Sequence, residues 1–407
     1  MDPGYAAAKY NLAIVYHNLG QYREAVDRLK SLRLQPDHGL ELEIAYNLGA
    51  AYYQLLEYWA YDYAEREFRQ VVEALVEPEL TQQSRELCAL AHCGLTSVYA
   101  QKMYGDKDNL EAYSRLATEH YRKALAVAPE DSQILAIAHT AIGMALLNLG
   151  QAVDAVAKFE EAVRLKPDYW RAYIHWGRAL MVIQDFERAV LSLKQAVALN
   201  PGYEFAQYQL GIALKHAKRF DEAAEALAKA PGIAQAHDER GQILAECNRQ
   251  YESALAEFER ALALRPDLSN AMVNTAWYTL EAGFQDDEHL NRALECSRRA
   301  LESEMKSGNA WHRHSVLGSV YLAKNQLDDA KRELDEAIRL DREAPQSYFF
   351  LARVYVELGE LEKAKEALGE FLRRPRESPW HKRAHEAAVG LMTEINNRLK
   401  TDVLREE

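Results

Sequence analysis

The feature that most constrains the fold is a recurring pair of residues, in which a large side chain is followed by a small one. Such pairs occur at Ile142-Gly143, Trp176-Gly177 and Leu210-Gly211, so two successive steps between the glycines are each 34 residues long. A fixed period of about 20 to 50 residues is typical of repeat proteins, in which each unit packs only against its neighbours. Related pairs, separated by 30 to 47 residues, extend over most of the chain: Leu12-Ala13, Leu48-Gly49, Leu95-Thr96, Arg240-Gly241, Thr275-Ala276, Leu317-Gly318 and Leu351-Ala352.

A second pattern follows these pairs and predicts a partner helix. An alanine, a bulky residue four positions later and an alanine three positions further on recur as Ala155-Phe159-Ala162, Ala189-Leu193-Ala196, Ala254-Phe258-Ala261 and Ala330-Leu334-Ala337. On an α-helix these positions share one face, which puts a knob between two holes. The small residue of the first helix lets the second helix approach closely, and a proline often ends the second helix. We therefore predict units of two antiparallel helices.

The composition agrees with an all-α chain. Ala, Leu, Glu, Arg, Lys and Gln are abundant, there are only 11 prolines, and 48% of the 407 residues are hydrophobic. The abundant residues are good helix formers, and alternating runs of Val, Ile and Thr are missing. A chain of this length is too long for one ordinary hydrophobic core, which again favours an array of units.

Segments such as KFEEAVRLKPD (158–168) and EFERALALRPD (257–267) closely resemble the tetratricopeptide repeat family. The resemblance covers about ten units over residues 6–375. It implies a right-handed α-solenoid (superhelix) of antiparallel helix pairs, and residues 378–400 are expected to form an amphipathic capping helix through Ala384, Ala387, Leu391, Ile395 and Leu399. We expect four segments: irregular N-terminal repeats (1–130), regular central repeats (131–266), C-terminal repeats (267–375), and the capping helix with a tail (376–407).

Some units depart from the family pattern. The third contains an inserted stretch, QKMYGDKDN (101–109), which is expected either to form a protruding loop or to lengthen the helix pair. The eighth has Thr275-Ala276 at its anchor and an additional stretch, GFQDDEH (283–289). The first helix begins soon after MDPG without a polar capping helix. Because solenoids need capped ends, we expect a fragment of a longer protein or a first helix that docks on a partner.

Charge and motif content argue against several classes of function. The net charge of −13 is unfavourable for a general nucleic-acid binder or a protein that binds anionic membranes. No phosphate-binding loop, nucleophile elbow or zinc-protease motif is present, so we predict neither an enzyme nor a cofactor. His312 and His314 would point about 200° apart on a helix, which argues against a shared metal ion. Four unpaired cysteines and no signal peptide favour a cytoplasmic protein.

The family resemblance also implies a concave groove lined by the first helix of each unit. Transferring the groove positions residue by residue predicts a set of partner-binding residues: Asn11, Tyr46, Asn47, Arg171, His175, Arg178, Tyr208, Gln209, Ile212, Lys215, Asn274, Trp277, Phe349 and Arg353. The family's carboxylate clamp for a chaperone C-terminus is not intact. Asn11 and Asn47 suit it, but Tyr10 replaces its lysine, and Leu90 and Gly94 stand where a lysine and an arginine belong.

The most distinctive part of this predicted groove is basic. Arg171, Arg178 and Lys215, with His175 and His216, would suit a partner peptide that is acidic and aromatic, because guanidinium groups bind carboxylates in a bidentate manner. Alternatively, the arginines form salt bridges with Glu or Asp of neighbouring repeats. The sequence thus predicts a protein-interaction scaffold. A regulatory or sensor region of a larger signalling or secretion protein, with its catalytic domain elsewhere, is the second hypothesis, and self-association is left open.

Overall fold

The computed structural model of the protein describes residues 3–35, 39–75, 80–303, 310–374 and 379–406. The regular structure in these ranges is entirely helical, so the predicted all-α solenoid of helix pairs is confirmed. In the same ranges, no helix combines the length and the apolar character that a membrane crossing requires. The chain divides into two compact units, Met1–Arg219 and Phe220–Glu407, named unit 1 and unit 2. The four segments expected from the sequence stay a prediction.

The helices of unit 1 are α1 (Pro3–Asn18), α2 (Tyr22–Arg33), α3 (Glu41–Gln54), α4 (Tyr58–Ala74), α5 (Gln82–Gly105), α6 (Leu110–Val127), α7 (Ser132–Asn148), α8 (Ala152–Leu165), α9 (Trp170–Val182), α10 (Phe186–Leu199) and α11 (Glu204–His216). Those of unit 2 are α12 (Phe220–Ala228), α13 (Ala234–Glu246), α14 (Tyr251–Leu264), α15 (Ser269–Glu281), α16 (Asp287–Ser303), α17 (Ala310–Ala323), α18 (Leu327–Leu340), α19 (Pro345–Glu357), α20 (Leu361–Leu372) and α21 (Pro379–Glu406).

Close contact between a glycine and a bulky side chain holds the regular helix pairs together. A Cβ atom on Gly143 of α7 would lie 2.7 Å from the Phe159 ring of α8, and one on Gly177 of α9 would lie 2.5 Å from Leu193 of α10. Real Cβ atoms essentially never approach another heavy atom so closely. Any larger residue at these glycines would force the helices apart in a core that is already closely packed. The predicted role of the small residue is confirmed.

The alanine triplets of the second helices form the inner stripe of each pair. Ala155, Phe159 and Ala162 of α8 are fully buried, and the triplets of α10, α14 and α18 are buried in the same way. Removing one such phenylalanine from water contributes roughly 1.5–3 kcal/mol. The predicted knob between two holes is therefore confirmed as the core of the pair.

The turn inside several pairs uses one residue with a positive φ. Glycine occupies it at Gly20, Gly150, Gly283 and Gly359, as a left-handed helix end favours. Other turns keep the same backbone with a side chain in place: Leu56, Gln184, Lys218, Arg249 and Asn325 have φ between 53° and 62°. The turn geometry is thus retained where the sequence lacks the glycine.

The insertion of the third unit lengthens its first helix. Helix α5 continues to Gly105, so the first five residues of the inserted stretch 101–109 are helical. Of the two expected outcomes, the longer helix is the one observed. Lys102 near its end lies 2.5 Å from Asp62 Oδ1 and 2.6 Å from Glu65 Oε2, both on α4. This ion pair ties the added turns of α5 to the neighbouring pair.

The C-terminal helix α21 packs on the last repeat. Ala384, Ala388 and Ile395 are buried in the same apolar cluster as Phe371 of α20. The sequence placed Ala387 on the packing face, and this was wrong, because Ala387 is exposed and Ala388 is fully buried. The buried face of α21 continues from Ala384 to Ala388, four residues later, and not to Ala387, three residues later. Both spacings are compatible with one helix face.

Candidate peptide-binding groove

A cavity of about 450 Å³ lies within unit 1, and we call it the unit 1 groove. Residues of α1, α3, α5, α7, α9 and α11 line it, with Phe68 as a contribution from α4. Four of the predicted partner-binding residues lie on its wall: Tyr46, Arg171, His175 and Arg178. Its size falls within the range of about 300–1,000 Å³ that ligand pockets occupy.

The helical register of α9 places its cationic residues on one face. Arg171, Ile174, His175 and Arg178 line the groove, whereas Gly177 packs on α10. The aromatic residues of α9 are divided in the same way, and Trp170 lies on the groove side. Trp176 does not line the groove; its ring lies 6.2 Å from the ring of Tyr173, and the Arg188 guanidinium of α10 stands 5.7 Å above it. One short stretch of sequence thus supplies both packing and groove residues.

The groove wall carries two arginines and no carboxylate. None of the residues that line it is Asp or Glu. Within the described ranges, Arg171 and Arg178 take part in no ion pair, and the Arg171 guanidinium lies 4.3 Å above the ring of Trp170. Burial lowers the pKa of Arg178, although Tyr104 and Tyr53 act in the opposite direction. The salt bridges that the sequence offered as an alternative are therefore not formed by the described residues.

The histidines of the groove are neutral at physiological pH. Burial, reinforced by Arg178 and Arg171, lowers the pKa of His175 to about 3. Its ring stacks on Phe159 with centroids 6.0 Å apart, and its Nδ1 atom is buried without a hydrogen-bond partner in the described part of the chain. Burial also lowers the pKa of His17, at the α1 side of the groove. These rings can exchange hydrogen bonds with a ligand, but they add no charge.

Half-buried tyrosines supply hydroxyl groups to the same wall. Burial raises the pKa of Tyr53 and of Tyr169 to about 12, and it raises the pKa of Tyr46 further. All three phenols therefore stay protonated at pH 7 and can donate a hydrogen bond. A wall of two cations, neutral rings and phenol donors is suited to an anionic ligand with apolar parts.

Several predicted groove residues lie elsewhere in unit 1. Asn47 Nδ2 donates to Tyr10 Oη at 2.7 Å and to the Glu43 carbonyl oxygen at 2.8 Å, so its amide is engaged within the fold. Asn11 is exposed on α1 and does not line the cavity. On α11, four predicted residues are half-buried outside the cavity wall: Tyr208, Gln209, Ile212 and Lys215.

Sequence reasoning missed the tyrosines that precede the first helices. Tyr169 and Tyr203 both line the groove, although each lies just before its helix. A signal was present, because each tyrosine stands two residues after a proline, Pro167 or Pro201, and the two are 34 residues apart. Groove positions counted only along the helices leave such residues out.

Unit 2 contains a smaller cavity of about 320 Å³, and α21 contributes to its wall. Asn274 and Trp277, both predicted to bind a partner, line it together with Trp380 of α21. The Trp380 ring lies 5.4 Å from that of Trp277, and the Arg383 guanidinium lies 2.5 Å from Glu281 Oε2. The chain's own C-terminal helix therefore supplies an aromatic ring and a cation to this recess.

The surroundings of three residues of unit 2 that the sequence predicted to bind a partner differ from one another. Phe349 packs in the core with its ring 5.9 Å from Trp380, and it leaves little surface for a partner. Asn274 Nδ2 donates to Asp238 Oδ1 at 2.7 Å. Arg353 is exposed and lies outside the cavity. The sequence placed these side chains on a groove without foreseeing that α21 enters it.

A metal site has no support from the described side chains. No group of three or more His, Cys, Asp or Glu residues in the described ranges is arranged to hold an ion. His314 Nδ1 lies 2.8 Å from Glu333 Oε2, whereas the ring of His312 lies 6.4 Å from that of Trp277. The two histidines thus have separate surroundings, as their spacing on the helix predicts.

Comparison with known proteins connects these features to a family. Tetratricopeptide repeat models match residues 6–30, 140–204, 184–247 and 320–384. Protein STIP1 homolog of Dictyostelium discoideum is 29% identical over 121 residues, which are 28% of this chain and 21% of that protein. The chain thus matches about a fifth of the length of this relative.

Solved structures of similar architecture include the APC/C hetero-tetramer Cut9-Hcn1, at 13% identity and a TM-score of 0.48 over 94% of this chain and 83% of that one. YrrB, described as a TPR protein with an unusual peptide-binding site, is 21% identical with a TM-score of 0.38 over 46% of this chain and 95% of its own. With TM-scores below 0.5, neither likeness bears on function. The matched repeat models and the interlocked helix pairs show that the chain belongs to the tetratricopeptide repeat family.

Proposed function

We propose that this protein is a non-enzymatic interaction scaffold, and that its unit 1 groove binds an acidic segment of a partner protein. The observation that carries the proposal is the pair of arginines on a wall without carboxylates. Membership of a family of generally non-catalytic interaction modules supports the scaffold role. The groove supports the acidic ligand.

The physical reason is the cost of an uncompensated cation. A charged group that is withdrawn from water loses hydration, and only an opposite charge or several hydrogen bonds compensate for this loss. Arg178 is in this position, as the lowered pKa of its guanidinium indicates. A carboxylate from a ligand would form charge-assisted hydrogen bonds with it in surroundings of low dielectric constant. The unbound groove is therefore prepared for an anion.

The aromatic part of the groove favours a ligand with apolar side chains. Trp170 and Tyr203 stand at one end with their ring centroids 4.6 Å apart, and Phe205 continues this surface. Aromatic residues contribute large contact areas at small entropic cost, which is why they anchor many interfaces. An acidic segment that also carries an aromatic residue would satisfy both parts of the wall.

The test begins with selection of peptides from a random display library on the full chain. Selected peptides should be enriched in Asp, Glu and aromatic residues, and Arg178→Gln should weaken their binding at least tenfold. Arg188→Gln is the matched control, because Arg188 lies on α10 over Trp176 and outside the groove. Melting curves of both variants check that each is folded. Peptides without acidic residues, or equal binding by both variants, would rule out this function of the groove.

A further inference from the structure

The two arginines of the groove are separated by a fixed distance along α9. Arg171 and Arg178 are seven residues apart, and an α-helix rises 1.5 Å per residue and turns about 100°, so their Cα atoms lie on one face about 10 Å apart. Side chains on a helix lean in the same direction, towards its N-terminus. The spacing at the backbone is therefore carried into the groove.

The surroundings of the two guanidinium groups are different. The Arg171 guanidinium lies over Trp170, and its charge acts on Tyr169 and Tyr203. The groups that act on Arg178 are Tyr104 and Tyr53. Apart from His175, on which both charges act, these two sets do not overlap, so the arginines form two separate cationic positions along α9, about two turns apart.

The space between the two cations is lined by uncharged groups. Ile174 is almost completely buried, and His175 is held neutral, with its pKa lowered to about 3 by burial and by the two arginines. A third charge on the ligand would find no partner there. The wall thus presents a cation, a neutral stretch and a second cation in sequence along one helix.

From this order we infer that the unit 1 groove recognises two anionic groups about 10 Å apart on one ligand segment, with an apolar residue between them. The inference depends on the proposed function and specifies the ligand of the same groove. In a polyproline II segment, residues i and i+3 point to the same side and are about 9.3 Å apart. In a β-strand, residues i and i+3 point to opposite sides. A polyproline II segment therefore spans the distance between the two cations within three residues.

The ligand is therefore an extended peptide of the form acid-x-x-acid. Each acid would be bound by one arginine, and an aromatic residue between them would contact the half-buried, neutral ring of His175. Such a segment needs no conformational change of the helices, because both cations are held on a single rigid element.

Synthetic peptides of eight residues test the spacing on the full chain. All members of one set contain two glutamates, one proline and one tyrosine among glycine and serine residues, and they differ only in order, so that the glutamates are one, three or five positions apart. The member with a spacing of three contains Glu-Pro-Tyr-Glu. Fluorescence anisotropy should give the tightest binding at a spacing of three, by about tenfold over the other two. Affinity that depends on the number of glutamates and not on their spacing would overturn the inference. Binding of none of these acidic peptides would instead overturn the proposed function.

Paired substitutions test whether there are two positions. With Arg171→Gln, replacing one particular glutamate of the peptide by glutamine should have no further effect, and with Arg178→Gln the same should hold for the other glutamate. This is a double-mutant cycle between protein and peptide. If, in both arginine variants, replacing the same glutamate no longer changes the peptide's affinity, the groove has one anion position and the inference is wrong. Arg188→Gln should leave every peptide affinity unchanged.

A pH series separates carboxylate from phosphate as the source of the anions. A phosphoserine in place of one glutamate gains its second charge with a pKa near 6, so its binding should strengthen from pH 5 to pH 7. A peptide with two glutamates should change its affinity much less over the same range. The pKa of His175 is about 3 and those of Tyr53 and Tyr169 are about 12, so these groups do not titrate here, and His17, whose pKa burial lowers, acts on both peptides alike. Tighter binding of the phosphopeptide at pH 7 with the same spacing identifies phosphate as the preferred anion, whereas loss of the spacing preference in both series contradicts the inference.

Discussion

The recesses of the two units are built alike but differ in what they contain. In unit 1, two arginines face a cavity whose wall has no acid, and no described residue pairs with them. In unit 2, Trp380 of α21 lies against Trp277, and Arg383 pairs with Glu281. One repeat pattern therefore produces recesses of both kinds. Availability for a partner depends on which other segments of the chain reach the recess.

The same contrast holds for the charges. The cation that enters the recess of unit 2 has a carboxylate partner, and Tyr278 Oη donates to Glu246 Oε1 at 2.7 Å in the same wall. Arg383 in the recess of unit 2 thus has a carboxylate partner, whereas the two arginines of the unit 1 groove take part in no ion pair with a described residue. We expect four experiments to sharpen or break this comparison, and they follow in order of decreasing effect.

Acidification should destabilise unit 1 more than unit 2. His92 and His120 lie with their Nδ1 atoms 2.9 Å apart, and burial lowers the pKa of each to about 4. Their folded pKa values lie below the unfolded value of about 6.5, so the unfolded state binds more protons and stability falls as the pH falls through this range. We expect unit 1 to lose roughly 2–4 kcal/mol between pH 7 and pH 5.

Hydrogen exchange of the full chain at both pH values measures this loss separately for each unit. Peptides from α5 and α6 should lose more protection than peptides from α13 and α14. Unit 2 should also lose some stability on acidification, because burial lowers the pKa of its His312 to about 4. Equal loss of protection in both units would contradict the prediction.

Removing the ring that enters the recess of unit 2 should have the next largest effect. Trp380 packs against Trp277, Phe349 and Phe350, so Trp380→Ala is expected to lower the free energy of unfolding by about 2–3 kcal/mol. The variant should also bind more of the dye ANS, because the recess becomes accessible. Trp59→Ala is the control in unit 1, since Trp59 is 49% exposed. A smaller loss for Trp380→Ala than for the control would show that α21 does not hold the recess closed.

Removing an arginine should change stability with opposite sign in the two units. Arg178→Gln removes a desolvated cation without a partner, and we expect the free energy of unfolding to rise by about 1 kcal/mol in the absence of ligand. Arg383→Gln removes a partly exposed ion pair and should lower it by about 0.5 kcal/mol. Chemical denaturation compares the two variants. A loss of stability in Arg178→Gln would mean that its charge is compensated within the fold.

The smallest effects concern turns with the same backbone in both units. Gln184 in unit 1 and Asn325 in unit 2 have φ of 62° and 56°. Gln184→Gly should stabilise unit 1 by about 0.5 kcal/mol at most, because glycine adopts this conformation without steric cost. Asn325→Gly should stabilise unit 2 by less, since asparagine tolerates the left-handed region. Thermal melts of the two variants test the order, and an equal or reversed order would contradict it.

The sequence predicted the packing of the pairs well, because that packing is local. The contact between Gly143 and Phe159 joins adjacent helices, and the register of α9 follows from its own period. The entry of Trp380 into a recess lined by Trp277 could not be predicted in this way. These residues are 103 positions apart in the numbering, and their contact depends on the path of the intervening helices. The exposure of Ala387 was misjudged for a smaller reason, since neighbouring positions of one stripe differ only in register.

The interlock of small and bulky residues has a consequence for exchanging parts between repeats. Gly143 is matched to Phe159 and Gly177 to Leu193, whereas the pair with Ala276 at its anchor has Ser297 at the corresponding position of its second helix. In the pair with Ala276, a larger residue on the first helix is thus matched by a smaller one on the second. The smallest cassette that can be moved from one repeat to another is therefore the matched pair, and a helix moved alone would bring either a clash or a void.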